Sequence, residues 1–130
     1  MSQATPPVDK DTARWVKEQL DRTVQELIGQ GRFDRILVEA KPAWALPQSI
    51  LIGKIREQGP SSGFEWFISG DCPTDLTSAE KASSPREAAR HFCLKWQLEA
   101  ARQGSAGDDL AEIAEALYRL VEEDSIWLTS

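Results

Sequence analysis

Two aspartates, Asp71 and Asp75, bracket Cys72-Pro73-Thr74 and are the first residues whose type and spacing suggest chemistry. Paired carboxylates at such a turn can bind a cation or polarise a water. Aspartates in a Gly-Asp-x-Pro turn also accept local backbone N–H bonds, and no third ligand lies within the local spacing. His91, the only histidine, stands one helical turn after Glu87. That pair can serve as a general base with its orienting carboxylate, or as an ordinary surface contact. Asp71, Asp75 and His91 thus define one candidate polar site, beneath a lid formed by residues 59–63. Cys93 falls on an apolar stripe between Phe92 and Trp96, the setting of an inert buried thiol, and Cys72 has no base near it in sequence. The two cysteines match no metal spacing. No cofactor, metal or catalytic residue is assigned.

A second candidate lies near the C-terminus. Seven of the 21 acidic residues, but only Arg119 of the 15 basic ones, fall between Asp108 and Asp124, so this stretch nets −6 and the rest of the chain is neutral. Glu122, Glu123 and Asp124 stand at the negative end of a helix dipole, where each acid is destabilising by about 0.3–1 kcal/mol. Trp127 follows directly, and acids beside an aromatic anchor have the composition of a small interaction patch. The plainer alternative is a solvated helix face and a tail that covers the sheet. An acidic helix disfavours nucleic-acid phosphates and favours a basic protein partner.

The elements that must position these residues follow from periodicity. Residues 1–8, with Thr5-Pro6-Pro7, are expected to be disordered, and a single domain spans residues 9–130. A helix begins at Asp9 or Asp11, buries Val16, Leu20, Val24, Leu27 and Ile28, and closes at Gly29 or Gly31. Residues 35–39 form a short strand stopped by Lys41-Pro42, and residues 43–47 form a loop holding Trp44 and Leu46. Residues 50–56 and 64–69 pair as a hairpin, with Gly53 marking a bulge or a close approach. Ser84, Pro85 and Glu87 start a helix with a capping box, and its stripe is Ala89, Phe92, Cys93, Trp96 and Ala100. Leu94 and Leu98 lie off that stripe and offer a homodimer contact. Residues 103–107 read as a flexible hinge without packing residues. Asp108 then caps a last helix with the stripe Leu110, Ile113, Ala114, Leu117, Leu120 and Val121.

The fold expected is α+β: an N-terminal helix, a three-stranded antiparallel meander packed by helices on one face, and two C-terminal helices paired as a hairpin. The first ten residues contain no apolar leader, and no apolar run is long enough to span a bilayer. A reduced, cytoplasmic protein without a membrane partner is therefore expected.

Ile68-Ser69-Gly70-Asp71-Cys72-Pro73-Thr74-Asp75, followed by Arg86-Glu87-Ala88-Ala89-Arg90-His91-Phe92-Cys93-Leu94-Lys95-Trp96-Gln97, resembles a small bacterial family. Its members carry an ISGDxPTD turn and then an REAxRHFxLxWQ helix, and it is catalogued as a domain of unknown function. The resemblance covers most of residues 12–103. It implies a bacterial cytoplasmic protein with the element order above, and it implies no activity and no catalytic residues. The reading favoured from the residues is a non-enzymatic interaction or regulatory domain, immunity-like in size and charge, that uses its acidic C-terminal helix. The alternative is a small ligand- or metal-binding domain or enzyme built on Asp71, Asp75 and His91.

Overall fold

The computed structural model describes residues 10–33, 38–58 and 63–127. The N-terminal residues expected to be disordered, the Asp9 cap, most of the 59–63 lid and the start of the first expected strand lie outside these. Helix α1 (Lys10–Gly29) leads into strands β1 (Val38–Leu46), β2 (Ile50–Glu57), β3 (Glu65–Gly70) and β4 (Asp75–Ser78), and helices α2 (Pro85–Gln103) and α3 (Asp108–Val121) follow. The sheet is antiparallel in the order β1-β2-β3-β4. The meander expected from sequence is therefore present with four strands instead of three. Asp75–Ser78, expected as linker, pairs with β3 through Phe67↔Leu76 and Ile68↔Asp75.

Helices cover both faces of the sheet, which corrects the expectation of one. Alternation makes this necessary, because β2 and β3 are apolar on both sides. Ile50, Ile52, Trp66 and Ile68 pack with Phe92, Cys93 and Trp96 of α2 and with Ala114, Leu117 and Val121 of α3. Leu51, Ile55, Phe67 and Leu76 pack on the other side with Leu27 and the α1 residues Trp15, Val16, Leu20 and Val24. On that side Thr23, Gln19 and Ser69 form a buried polar group: the Thr23 and Ser69 hydroxyls lie 2.7 Å apart, and Gln19 Nε2 donates to Ser69 Oγ at 3.3 Å. Its members satisfy one another, so burying them incurs no unpaired polar atom.

The strand expected to stop at Pro42 continues to Leu46. β1 is an edge strand, where a residue lacking an N–H is tolerated, and its register shifts between Pro42 and Trp44. The bulge turns Trp44 into the core on the α2–α3 side. Gly53 lies opposite it, and a Cβ there would stand 2.2 Å from the Lys41 carbonyl oxygen and 2.7 Å from the Phe67 ring. Gly53 thus marks both the bulge and the close approach.

The helix ends follow local chemistry. Gly31 (φ +74°) closes α1, with its N–H donating to the Ile28 carbonyl and that of Arg32 to the Leu27 carbonyl. Ser84 Oγ accepts from the Glu87 N–H at 3.2 Å, as a capping box requires. Glu87 returns to Ser83 instead of Ser84, accepting from its N–H and its hydroxyl at 2.8 Å each. The expected hinge before α3 is a packed 3-10 turn: a Cβ on Gly107 would meet the Ala100 carbonyl oxygen at 2.4 Å. Here the absence of a side chain is what packs. Asp108 is the first residue of α3 and Gly107 its N-cap, so Asp108 contributes through the dipole of the first turn and makes no side-chain cap.

Candidate functional site

The sequence-derived polar residues fall at separate places. Asp75 is part-buried at the β4 edge and fully engaged. One carboxylate oxygen accepts from Lys95 Nζ (3.0 Å) and its own neighbour Leu76 N–H (2.8 Å), the other from Trp96 Nε1 (3.0 Å). Those contacts tie β4 to α2, which is a structural role. His91 lines a shallow cleft with Lys81, Glu87, Arg90 and Leu94, away from both aspartates. Glu87, expected as its orienting partner, spends its carboxylate on Ser83. Those hydrogen bonds hold the Glu87 carboxyl below its usual pKa. Among the described residues no three histidines, cysteines or carboxylates are grouped to hold a metal ion.

The C-terminal residues are arranged differently again. After α3 the chain makes a 3-10 turn, Asp124–Trp127, that folds back onto the sheet. Trp127 stacks on Trp44 with ring centroids 4.0 Å apart and planes 18° apart. Each indole is satisfied: Trp127 Nε1 donates to the Leu120 carbonyl at 2.7 Å and Trp44 Nε1 to the Ile126 carbonyl at 2.9 Å. Asp124 accepts from Arg86 Nη2 at 2.6 Å, while Arg86 Nε donates to the Val121 carbonyl. Arg86 therefore offsets the dipole that the acids alone would oppose. Trp127 and Asp124 form a clasp holding the end of α3 to the body, and Glu122 and Glu123 remain exposed.

A groove of about 560 Å³ opens beside this clasp. Two chain reversals build one wall. Gly70 (φ +117°) brings the backbone so close to Ser49 that a Cβ would meet the Ser49 carbonyl oxygen at 2.1 Å. The Asp71 N–H donates to that same oxygen at 2.8 Å. The β1–β2 and β3–β4 turns are thereby locked side by side, presenting Ser49, Ile50, Asp71 and Cys72. Helix α3 is the facing wall. Its residues Ile113, Leu117 and Leu120 supply an apolar floor, Ala116 leaves room above it, and Asp109 and Glu112 stand at the rim. Of the expected polar site, Asp71 alone belongs to this groove.

The electrostatics of the groove are one-sided. None of Asp71, Asp109 and Glu112 is in an ion pair among the described residues. The Cys72 thiol is pushed up to about 12 by its burial and by Asp71, Asp75 and Glu26. It stays protonated at neutral pH, which removes it as a nucleophile. Cys93 is also raised by burial, and its thiol donates to the Ala114 carbonyl at 3.2 Å. Carboxylates and an apolar floor thus line one groove.

In sequence Asp109 and Glu112 stand out only as part of the acidic stretch, Ile113, Leu117 and Leu120 only as a buried stripe, and Ala116 not at all. The spacing 109, 112, 116 does mark one helical face. Nothing in sequence says that two distant turns rise opposite that face.

No described helix is long and apolar enough to cross a membrane. A family model described as Domain of unknown function (DUF4826) matches residues 9–127. No curated protein and no solved structure matches the chain.

Proposed function

The chain belongs to this family of domains of unknown function, and from that premise we propose a non-enzymatic interaction domain that holds a basic amphipathic segment of a protein partner in the α3 groove. One observation carries the reading: an apolar floor and three carboxylates without ion-pair partners among the described residues share a single groove. Lysine and arginine have the matching form, since their aliphatic stems cover apolar surface while the cationic heads reach the rim. Glu122 and Glu123, exposed beyond the Leu120 end, add to the negative field and steer such a segment without needing contact. Asp124 and Trp127 act indirectly, by fixing the end of α3. A regulatory or immunity-like role in the cytoplasm fits a small acidic domain that masks a basic partner.

Immobilised protein should retain a basic protein from the native cell extract at low salt and release it at high salt, because exposed charge attraction is screened over about 10 Å at 0.1 M. Asp109→Lys combined with Glu112→Lys should weaken retention by about 30-fold or more. Ala116→Trp should do the same by filling the groove without a change of charge. Glu115→Lys, on another face of α3, should leave it intact. Undiminished retention by both groove variants would sink the reading.

A further inference from the structure

Strand register sorts the α2–α3 face of the sheet into rows. Trp44, Ile52 and Ile68 form one row, buried in the core with α2 and α3. In the next row Lys41 pairs directly with Lys54, and Lys54 with Trp66. Beyond it Glu39 pairs with Arg56. The face therefore turns from apolar to cationic within one row, and Lys41 is exposed and Lys54 partly so.

The cations here are engaged in different ways. Arg56 has its own acid: Nη2 lies 3.0 Å from Glu39 Oε1, and the guanidinium lies 4.4 Å from the Phe64 ring centroid. Lys41 and Lys54 have rings but no acid. The Lys41 ammonium is 4.5 Å from the centroid of Phe64, and that of Lys54 is 4.9 Å from a ring of Trp66. Neither is in an ion pair among the described residues. A ring face attracts an ammonium yet leaves it N–H donors to spare. Directly opposed residues of antiparallel strands have Cβ atoms about 4.5–5.5 Å apart, and like charges placed so repel. The neighbouring acids do not relieve that repulsion. Glu39 is committed to Arg56, and Glu57 and Glu65 fall on the α1 side by alternation.

We propose that the Lys41–Lys54 pair binds the phosphoryl group of a small phosphate monoester. Charge selects this class. A monoester carries nearly two negative charges at neutral pH, which match the two ammonium groups. A carboxylate or a phosphodiester carries one and leaves an ammonium uncompensated. Lysine suits phosphate, which it binds as a point charge, whereas planar carboxylates favour the fork of arginine. Phe64 and Trp66 hold the two stems in place, so less side-chain freedom is lost on binding. Covering those rings is also the plainer use of the stems, and it is compatible with binding because it occupies their aliphatic carbons.

The experiment is a titration of the full chain with phenyl phosphate, inorganic phosphate and acetate at constant ionic strength, followed by amide NMR shifts. Saturable shifts centred on Lys41 and Lys54 are expected with phenyl phosphate, at a Kd of about 1–10 mM. Acetate should not saturate in that range. Inorganic phosphate should bind no more tightly than the ester; the reverse order would assign the pair to the free ion and overturn the ester as ligand. Lys41→Gln and Lys54→Gln keep a stem over each ring, and each should weaken binding at least about fivefold. Circular dichroism should show both variants folded. Lys81→Gln, outside the pair, should bind as the wild type does. No saturable shift at Lys41 and Lys54 up to about 50 mM, or undiminished binding by both pair variants, overturns the proposal. So does tighter binding of an oligothymidylate, which would assign the face to nucleic acid. Lys54→Gln should leave retention of a basic protein in the α3 groove intact, so the two readings fail separately.

Discussion

The two faces of the sheet are covered by different means. On one, a single helix, α1, lies over Leu51, Ile55 and Phe67 and is pinned by the buried Gln19–Thr23–Ser69 group. On the other, a pair of helices lies over Ile50, Ile52, Trp66 and Ile68, and its polar ties include Lys95 to Asp75 and indole N–H bonds to backbone carbonyls or to Asp75. The cleft beside α1 is lined by Ala13, Val16 and residues 42–45, with no charged group. The helix pair instead leaves a groove with acids at its flank and a small cleft along its seam lined mainly by alanine and glycine. A helix pair has more borders than a lone helix, and its borders carry the charges its buried stripes cannot. The proposed binding groove therefore lies on the α2–α3 side, and α1 covers the opposite face.

The contrast can be broken most forcibly at the clasp. Trp127→Ala removes the stack on Trp44 and one indole hydrogen bond, and should cost about 2–3 kcal/mol in urea unfolding. Trp127→Phe keeps a ring and loses only the N–H bond, for about 1 kcal/mol. If Trp127→Ala left both stability and the fluorescence of Trp44 unchanged, the tail would not hold α3. Thr23→Val tests the opposite face. It leaves the Ser69 hydroxyl with Gln19 alone and should cost about 1–2 kcal/mol, part of which Thr23→Val with Ser69→Ala should recover. An additive double-variant cycle would show that the polar group does not act as a unit.

The last effect appears only at alkaline pH and belongs to Cys72, which packs against the α2–α3 side. Its folded-state pKa is raised from 9.0 to about 12, chiefly by burial and then by Asp71, Asp75 and Glu26. The unfolded chain therefore loses this proton at a lower pH than the folded chain. The stabilisation is full below pH 9.0 and is lost as pH rises towards about 12. Tm should fall more steeply between pH 9 and 11 in the wild type than in Cys72→Ser. Parallel curves would remove Cys72 as the cause.

Much of this was open to reading from local chemistry. Ser84, Pro85 and Glu87 mark the start of α2, Gly29 or Gly31 is expected to close α1 and Gly31 does so, and the stripes of α2 and α3 name their buried residues. The two-sided sheet was also written in the alternation of residues 50–52 and 66–68, where neighbours of both parities are apolar. β4 gave a weak signal because it is four residues long with one large apolar side chain, and its partner β3 supplies the rest. Pro42 read as a terminator because its missing N–H is fatal inside a sheet. Only the strand order shows β1 at an edge, where the loss is tolerated.

Composition and spacing by themselves determined the three helices, the Ser84 cap and the concentration of acid near the C-terminus, because each depends on interactions within a few residues. The tertiary structure alone decided that Asp75 is spent on Lys95 and Trp96, that Trp127 folds back onto Trp44, and that Asp71 meets Asp109 and Glu112 across one groove. Those outcomes depend on contacts between residues 20 or more positions apart, and pattern along a chain carries no term for them.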